Sequence, residues 1–170
     1  KQKLLLLKNL AKIILKEKHK GKKIVLCHGV FDLLHVGHIK HFKEAKNLGD
    51  ILVVSLTPDI HVNKGPARPV FNEELRAEAI SALDAVDYVV LNTNHTAIEM
   101  IHKIKPNIYC KGPDYKNHQN DVSGQIKNEI KAVKKAGGKI VYTRDVTYSS
   151  SKLLNQYGNV YSDFQKVFVK

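Results

Sequence analysis

The chain has 170 residues, 43% of them hydrophobic, and its 28 basic and 16 acidic residues give a formal net charge of +12. This length fits one domain, and lysines interrupt every apolar stretch well before the roughly 20 residues of a membrane span, which argues against a membrane protein. The positive charge favours anionic partners. However, 25 of the basic residues are lysine, whereas recognition of nucleic-acid bases favours the planar guanidinium group of arginine, so no nucleic-acid partner is expected.

The two cysteines, Cys27 and Cys110, each lie within a short apolar run. A thiol in such a run is typically a small buried hydrophobic group, not a bridge or a metal ligand. This use of cysteine predicts a reducing, cytoplasmic location.

An amphipathic helix is predicted over 2–18, within a leading segment of residues 1–20. Apolar runs typical of buried strands then lie at 23–28, 51–56, 88–91, 107–110 and 139–143. Helical patterns between them lie at 37–47, 72–83, 95–105 and 123–136. A short helix near 150–157 closes the main domain, which spans 21–157, and 158–170 form a C-terminal arm or a linker to a further domain.

This alternation predicts an α/β fold, a Rossmann-like parallel five-stranded sheet with helices on both faces, whose ligands bind at the carboxyl ends of the strands. The stretch HGVFDLLHVGH, residues 28–38, lies where the first strand ends and the next helix begins. A helix N-terminus attracts phosphate, and His35 and His38, three residues apart, add two donors on the same side. Gly37 leaves room for a ligand to approach the backbone. The stretch therefore predicts a phosphate site.

Two other interpretations of these histidines stay open. One is that they are ordinary members of a chain that has nine histidines. The other is a zinc site formed by His35, His38 and His41, which have helical spacing. Zinc needs ligands that converge, whereas His41 lies one turn further towards the helix body, so no metal ligation by histidine is expected.

Two later segments add candidate phosphate ligands. Lys64 lies in VNKGPARP (62–69), whose glycine and prolines suit a loop that closes over phosphates; a solvated lysine is the alternative. Arg144 comes five residues before a serine run at 149–151, and together they suit a second phosphate cradle. A simple serine cap is the alternative there.

The stretch at 28–38 and the turn TRDVTYSSSK at 143–152 resemble the two signatures of the H-x-G-H nucleotidyltransferases, enzymes with a Rossmann-like fold. The resemblance covers roughly residues 20–155. Within it, KGPARPV (64–70) and KGPDY (111–115) are most similar to the heptose-phosphate adenylyltransferases. The domain over 21–157 is accordingly identified as a nucleotidyltransferase domain.

The resemblance also implies roles for individual residues. The implied catalytic residues are His35, His38, Lys64 and Arg144. The implied nucleotide-binding residues are Gly29, Val30, Phe31, Gly37, Gly112, Asp114, Tyr148, Ser149, Ser150 and Ser151. On the substrate side, Asp32 is expected to orient the acceptor or Mg²⁺, and Arg76 to bind substrate. The alternatives are that Asp32 bonds its own turn and that Arg76 pairs with Glu73.

The implied reaction transfers a nucleoside monophosphate from a nucleoside triphosphate to a sugar- or polyol-phosphate and releases pyrophosphate. The product would be an activated sugar or polyol for cell-surface polysaccharide or lipid synthesis. Mg²⁺ is expected on the triphosphate, not on a histidine. The enzyme is expected to be a homodimer, and fusion to a sugar kinase domain is expected for a longer protein.

The nucleotide is the least determined part of this expectation. An arginine before the serine run is typical of the cytidylyltransferases, so Arg144 favours CTP over ATP, although Val146 and Thr147 replace the Glu-Gly pair of that signature. The alternative is an ATP-dependent heptose-1-phosphate adenylyltransferase, which the middle of the chain resembles. A more remote alternative, suggested by the positive charge, is an RNA- or nucleotide-binding module.

Overall fold

Five parallel strands form the centre of the structure, a computed structural model that describes residues 2–64, 67–116 and 124–144. The strands are β1 (Ile24–Gly29), β2 (Ile51–Leu56), β3 (Tyr88–Leu91), β4 (Ile108–Lys111) and β5 (Lys139–Tyr142). The α-helices of the described residues are α1 (Leu7–His19), α2 (Val36–Lys46), α3 (Glu73–Ser81), α4 (Ile98–Ile104) and α5 (Ile126–Lys135). Short 3₁₀ turns at Asp59–His61 and Pro113–Lys116 follow β2 and β4.

The strand order β3-β2-β1-β4-β5 places the first strand in the middle of the sheet, and every neighbouring pair is parallel. The chain runs outward from β1 to β3 and then outward again from β4 to β5, so the winding reverses between β1 and β4. In a doubly wound sheet, ligands bind beyond the carboxyl ends of the strands at this reversal. The predicted fold class is confirmed.

Helices cover both faces of the sheet, which explains why the strands are continuously apolar. Leu26 and Tyr109 belong to the core shared with α1, α4 and α5, whereas Val25 and Cys110 belong to the core shared with α2 and α3. Because side chains alternate along a strand, this division also decides which polar residues at the strand ends share a face.

The leading segment differs from its prediction. The first helix begins at Leu7, and Lys3–Leu5 instead run parallel to the edge strand β3. The N–H of Leu5 donates to the carbonyl of Val89 (3.0 Å), and the N–H of Val89 donates to the carbonyl of Lys3 (2.9 Å). The prediction of a helix from residue 2 is wrong because an edge strand offers unpaired backbone groups, which this leucine-rich segment satisfies while it packs on the core.

Local signals set several helix ends. Asn72 caps α3 by accepting the N–H of Leu75 at 2.9 Å. Lys105, with a φ of 44°, ends α4 just before Pro106, and Gly137, with a φ of 82°, follows α5. These boundaries lie close to the predicted ones because each depends on residues within one turn of the helix end.

Part of the prediction lies beyond the described residues, namely the helix near 150–157 and the arm at 158–170. In the three described ranges, no helix is both long enough and apolar enough to cross a membrane.

Candidate active site

The loop between β1 and α2 brings the two predicted catalytic histidines to the carboxyl edge of the sheet. His35 caps α2, because its Nδ1 accepts the N–H of Gly37 at 3.1 Å. The rings of His35 and His38 stack with centroids 3.9 Å apart and 28° between their planes. The predicted placement of both histidines on one side of the helix is present in the structure.

Phe31 supports this loop from within. Phe31 and Leu33 have left-handed backbones, with φ of 48° and 51°, a conformation that costs about 1–3 kcal/mol in a residue other than glycine. The Phe31 ring contacts the rings of Phe42 (4.8 Å between centroids) and His38 (5.5 Å). A Cβ at Gly29 would lie 3.2 Å from this ring, so Gly29 leaves the space that Phe31 occupies. The nucleotide contacts of Gly29 and Phe31 stay predictions.

Among the described residues, three buried side-chain nitrogens near this loop have no hydrogen-bond partner: His35 Nε2, His38 Nδ1 and Arg68 Nη2. Because His35 Nδ1 accepts from Gly37, its neutral ring carries the proton on Nε2, which is therefore a donor. A buried donor left unpaired costs about 1–3 kcal/mol. A phosphate has several acceptor oxygens and would satisfy such donors together.

Both imidazoles are held in the neutral form. Burial, and then the charge of Lys64, lower the pKa of His35. Burial, followed by His35, Lys64 and His41, lowers the pKa of His38 to about 3. The side chains that surround the rings of His35 and His38 are thus mostly potential cations. An anion that enters among them would favour the protonated rings.

Asp32 anchors the loop at 67–71. Its Oδ2 accepts Nε–H of Arg68 (2.7 Å) and the N–H of Val70 (3.0 Å), and its Oδ1 accepts the N–H of Phe71 (3.2 Å). Burial opposes ionisation of Asp32, but these hydrogen bonds outweigh it, and its pKa is lowered. Asp32 therefore positions Arg68, while its contact with an acceptor or Mg²⁺ stays a prediction.

Arg76 holds together the loops that follow the strands. It is only 2% exposed, and four of its five N–H groups are used by the protein. Their acceptors, at 2.6–3.0 Å, are the carbonyls of Phe71, Val30 and Thr57 and the carboxylate of Asp59. The structure thus pairs Arg76 with Asp59 in place of Glu73, and the predicted contact of Arg76 with substrate stays untested.

A cavity of about 250 Å³ opens at the same edge of the sheet, on the face that α4 and α5 cover. Its lining consists of His28, Gly29, Val30, Thr57, His61, Asn63, Lys64, His95, Lys111, Tyr115 and Glu129. Pockets for drug-sized ligands measure roughly 300–1,000 Å³, so this cavity suits a smaller ligand. The lining has imidazole, ammonium, amide and hydroxyl groups, and its carboxylate, Glu129, is paired with Lys111, so the cavity suits a polar, anionic ligand.

Lys111 is the buried cation of this cavity. Its Nζ lies 3.8 Å from Glu129 Oε2, 3.3 Å from the carbonyl oxygen of His28 and 4.1 Å from the centre of the Tyr115 ring. The same Glu129 oxygen accepts the hydroxyl of Tyr109 at 2.8 Å. Because the ion pair is longer than a hydrogen bond, the ammonium keeps donor capacity for an anion in the cavity.

His28 presents a neutral ring to the cavity. Its Nδ1 lies 3.1 Å from Ser55 Oγ and its Nε2 lies 3.5 Å from Thr57 Oγ1. Burial, and then the charge of Lys111, lower the pKa of His28 to about 3. His28 is therefore a hydrogen-bonding group here and not a charge.

Lys64 connects the cavity with the paired histidines. It lines the cavity, and its charge also lowers the pKa of both His35 and His38. Two groups of side chains that suit an anion thus meet at one edge of the sheet, and the predicted catalytic lysine interacts with both.

The other predicted site residues lie at this edge or outside the described ranges. Gly112 and Asp114 directly follow β4. The N–H of Arg144 donates to both carboxylate oxygens of Glu44 (3.0 and 3.2 Å), which places Arg144 beside α2. Tyr148, Ser149, Ser150 and Ser151 lie outside the described residues.

The sequence did not predict three residues at this edge of the sheet: Arg68, Lys111 and Glu129. Lys111 follows the apolar run NIYC, so its place at a strand end was visible in the sequence. Arg68 lies within the quoted segment KGPARPV, but its buried Nη2 depends on the anchor at Asp32. An acid inside a helix gives no such signal, so Glu129 could be found only from the fold.

Comparison with known proteins identifies the family of the domain that has this candidate site. Residues 26–156 match the family described as cytidylyltransferase-like. The chain belongs to the cytidylyltransferase-like family. One similar solved structure is a lipopolysaccharide core biosynthesis protein from Thermoplasma volcanium, which is 31% identical to this chain with a TM-score of 0.59. The match covers 76% of this chain and 100% of that protein. A pantoate-beta-alanine ligase from Francisella tularensis shares the fold, with a TM-score of 0.60. It is 18% identical, and the match covers 96% of this chain and 81% of that protein.

The curated relatives are longer than this cytidylyltransferase-like chain. The bifunctional protein HldE of Geobacter metallireducens is 40% identical over 159 residues, which is 89% of this chain and 31% of the relative. The bifunctional protein HldE of Aliarcobacter butzleri is 46% identical over 122 residues, which is 70% of this chain and 25% of the relative. The chain thus spans about a quarter to a third of the length of these relatives. The predictions of the family and of a nucleotidyltransferase are confirmed.

Proposed function

We propose that this domain transfers the nucleoside monophosphate of ATP to a sugar phosphate, a heptose 1-phosphate in the first instance, and releases pyrophosphate. The observation that carries the proposal is the pair of anion-binding groups at one edge of the sheet. Buried unpaired donors lie on the α2 side, and a polar cavity with a buried lysine lies on the α4 and α5 side. Lys64 is shared by both.

The triphosphate binds on the α2 side in this proposal. His35 Nε2 and Arg68 Nη2 donate to phosphate oxygens, and the N-terminus of α2 adds its partial positive charge. We favour ATP over the CTP that Arg144 suggested. The similarity to HldE proteins agrees with the resemblance of the middle of the chain to heptose-phosphate adenylyltransferases.

The acceptor binds in the cavity. Lys111 and Lys64 bind its phosphate, while His28 and Thr57 are placed to bond hydroxyl groups of the sugar. The limited volume favours a single sugar ring over a larger acceptor.

The reaction then needs alignment more than it needs acid or base. An oxygen of the acceptor phosphate, already ionised near neutral pH, forms a bond to the α-phosphorus. The bond from that phosphorus to the oxygen that bridges to the β-phosphate breaks, and pyrophosphate leaves with the electron pair. The imidazoles of His35 and His38 donate hydrogen bonds to the oxygens on which charge develops, and Lys64 binds both the triphosphate and the acceptor phosphate.

The described groups that converge on the triphosphate side are imidazole, ammonium and guanidinium nitrogens, which are not Mg²⁺ ligands. The oxygens of Asp32 already accept from Arg68 and from backbone N–H groups. We therefore propose that Mg²⁺ is held by the phosphates of the nucleotide. Bound there, it would neutralise charge on the departing pyrophosphate.

Pyrophosphate release tests the proposal. The chain is mixed with Mg²⁺, one of ATP or CTP, and one of heptose 1-phosphate or glycerol 3-phosphate, and we expect release with ATP and heptose 1-phosphate.

Lys111→Met should raise the KM for the acceptor at least tenfold and leave the KM for ATP unchanged. Lys135→Met, an exposed lysine of α5, is the matched control. Faster release with CTP would reverse the choice of nucleotide, and no release with any pair would refute the transfer reaction.

We also propose that the native protein carries a sugar kinase domain, because the matched relatives are bifunctional and about three times as long as this chain. The mass of the native gene product tests this. The homodimer expected from the sequence stays a prediction.

A further inference from the structure

Two thiols meet in the centre of the sheet. Cys27 on β1 and Cys110 on β4 are directly opposite each other in the parallel register, and neither is exposed. Both belong to the core that faces α2. They lie just below the carboxyl edge, since each is within two residues of the end of its strand.

An imidazole completes this group from α2. His41 is 8% exposed and lies three residues after His38. One ligand atom from each of Cys27, His41 and Cys110 lies within 4.8 Å of the other two. His41 Nδ1 shares a hydrogen bond of 3.1 Å with Thr143 Oγ1. Such a bond from a second residue is the usual device that fixes the orientation of a metal-binding imidazole.

The spacing suits a small thiophilic cation. Zinc binds thiolate sulfur at about 2.3 Å, so tetrahedral angles put two bound sulfurs about 3.8 Å apart. The three ligand atoms lie within 4.8 Å of one another, so each distance between them needs to shorten by no more than about 1 Å. Zinc sites with three protein ligands of the Cys₂His type are known, with one further position left open.

The charges also balance. Two thiolates and one Zn²⁺ are neutral together, which a fully buried position requires. Binding breaks two S–H bonds, releases both protons to solvent and forms two S–Zn bonds.

We propose that Cys27, Cys110 and His41 form a binding site for one thiophilic divalent cation of the zinc class. The site joins β1 and β4 to α2, the helix that begins at the catalytic histidines, and so it holds that helix against the sheet. It differs from the expectation that no histidine ligates a metal. The reason is that α2 turns His41 towards the sheet while His35 and His38 face the phosphate site. The inference does not depend on the proposed reaction.

Metal content and cobalt spectroscopy test the site without any assay of activity. The chain, purified under reducing conditions and equilibrated with Zn²⁺, should retain one zinc per chain after gel filtration. With Co²⁺ it should show a sulfur-to-cobalt charge-transfer band and the visible bands of tetrahedral cobalt. Cys27→Ala and Cys110→Ala should abolish both signals, and Thr143→Val should weaken zinc binding about 10- to 100-fold. His19→Ala, at the exposed end of α1, should keep both signals.

The wild-type chain alone is enough to overturn the proposal. Zinc content no higher than in the Cys27→Ala variant, or Co²⁺ spectra without the charge-transfer band, would refute it. A disulfide between Cys27 and Cys110, found by mass spectrometry of the freshly purified chain, would also refute it. Because these measurements use wild-type protein, failure of a variant to fold does not affect them.

Discussion

At the scale of single residues, the site is defined by buried nitrogens that lack hydrogen-bond partners. His35 Nε2, His38 Nδ1 and Arg68 Nη2 are buried and unpaired in the described part of the chain, whereas Arg76, which is buried as a whole residue, has four hydrogen bonds. Each buried polar nitrogen left unpaired destabilises the free protein by about 1–3 kcal/mol. Binding of a phosphate removes that penalty, so the same groups that weaken the fold strengthen the complex.

His35→Asn tests the donor at Nε2. Asparagine is a good helix cap, so α2 should keep its N-terminus while the Nε2–H donor is lost. We expect kcat to fall about 10²- to 10³-fold, the usual effect of removing one charge-stabilising donor. Steady-state kinetics measure this, with His19→Asn as the control, and a fall in kcat of less than threefold would contradict the assigned role.

The same anion should change the protonation of the histidines. Burial and Lys64 lower the pKa of His35 and His38 in the free chain, whereas a bound triphosphate favours their charged forms and raises both values. The complex then holds more protons than the free chain, so affinity for the triphosphate should rise as the pH falls. Histidine resonances followed by NMR over pH, with and without a non-hydrolysable triphosphate, measure the shift; identical titration curves would refute it.

At the scale of elements, Asp32 joins the β1–α2 loop to the loop at 67–71. Its carboxylate accepts three hydrogen bonds from that loop, so the two loops should move as a unit. Asp32→Asn keeps the shape but removes the charge that faces Arg68. We expect the KM for the triphosphate to rise because Arg68 is no longer held in place.

Hydrogen exchange measures this coupling directly. The N–H groups of Val70 and Phe71 should exchange faster in Asp32→Asn than in the wild type, because their acceptor is weakened. Asp84→Asn, at an exposed acid between α3 and β3, is the control. Unchanged exchange at both N–H groups, together with an unchanged KM, would show that Asp32 does not hold this loop.

At the scale of the whole molecule, neutral buried histidines make stability depend on pH. The pKa values of His28 and His38 are about 3 and that of His41 is about 4, against 6.5 in the unfolded chain. Between about pH 6.5 and pH 4 the unfolded chain binds protons that the folded chain does not. The stabilisation is therefore complete above pH 6.5 and is lost as the pH falls through this range.

Denaturant titrations at a series of pH values check this expectation. Each such histidine contributes a slope of up to about 1.4 kcal/mol per pH unit in the free energy of unfolding. His28→Asn should remove about one histidine's share of the slope, whereas His19→Asn should not change it. A stability that is constant from pH 7 to pH 4.5 would contradict the buried neutral state of these rings.

The sequence by itself determined the alternation of strands and helices, most of their boundaries and the position of the candidate site where β1 ends and α2 begins. These depend on residues close together in the chain: apolar runs, helix caps, and the pair His35 and His38 one turn apart. The tertiary structure decided the rest. It anchored Arg68 Nε on Asp32 and left Arg68 Nη2 unpaired, paired residues 3–5 with β3, and placed Lys111 against Glu129. It also brought Cys27, Cys110 and His41 together. Those contacts join residues far apart in the chain, and they depend on strand order, register and the face to which each side chain points.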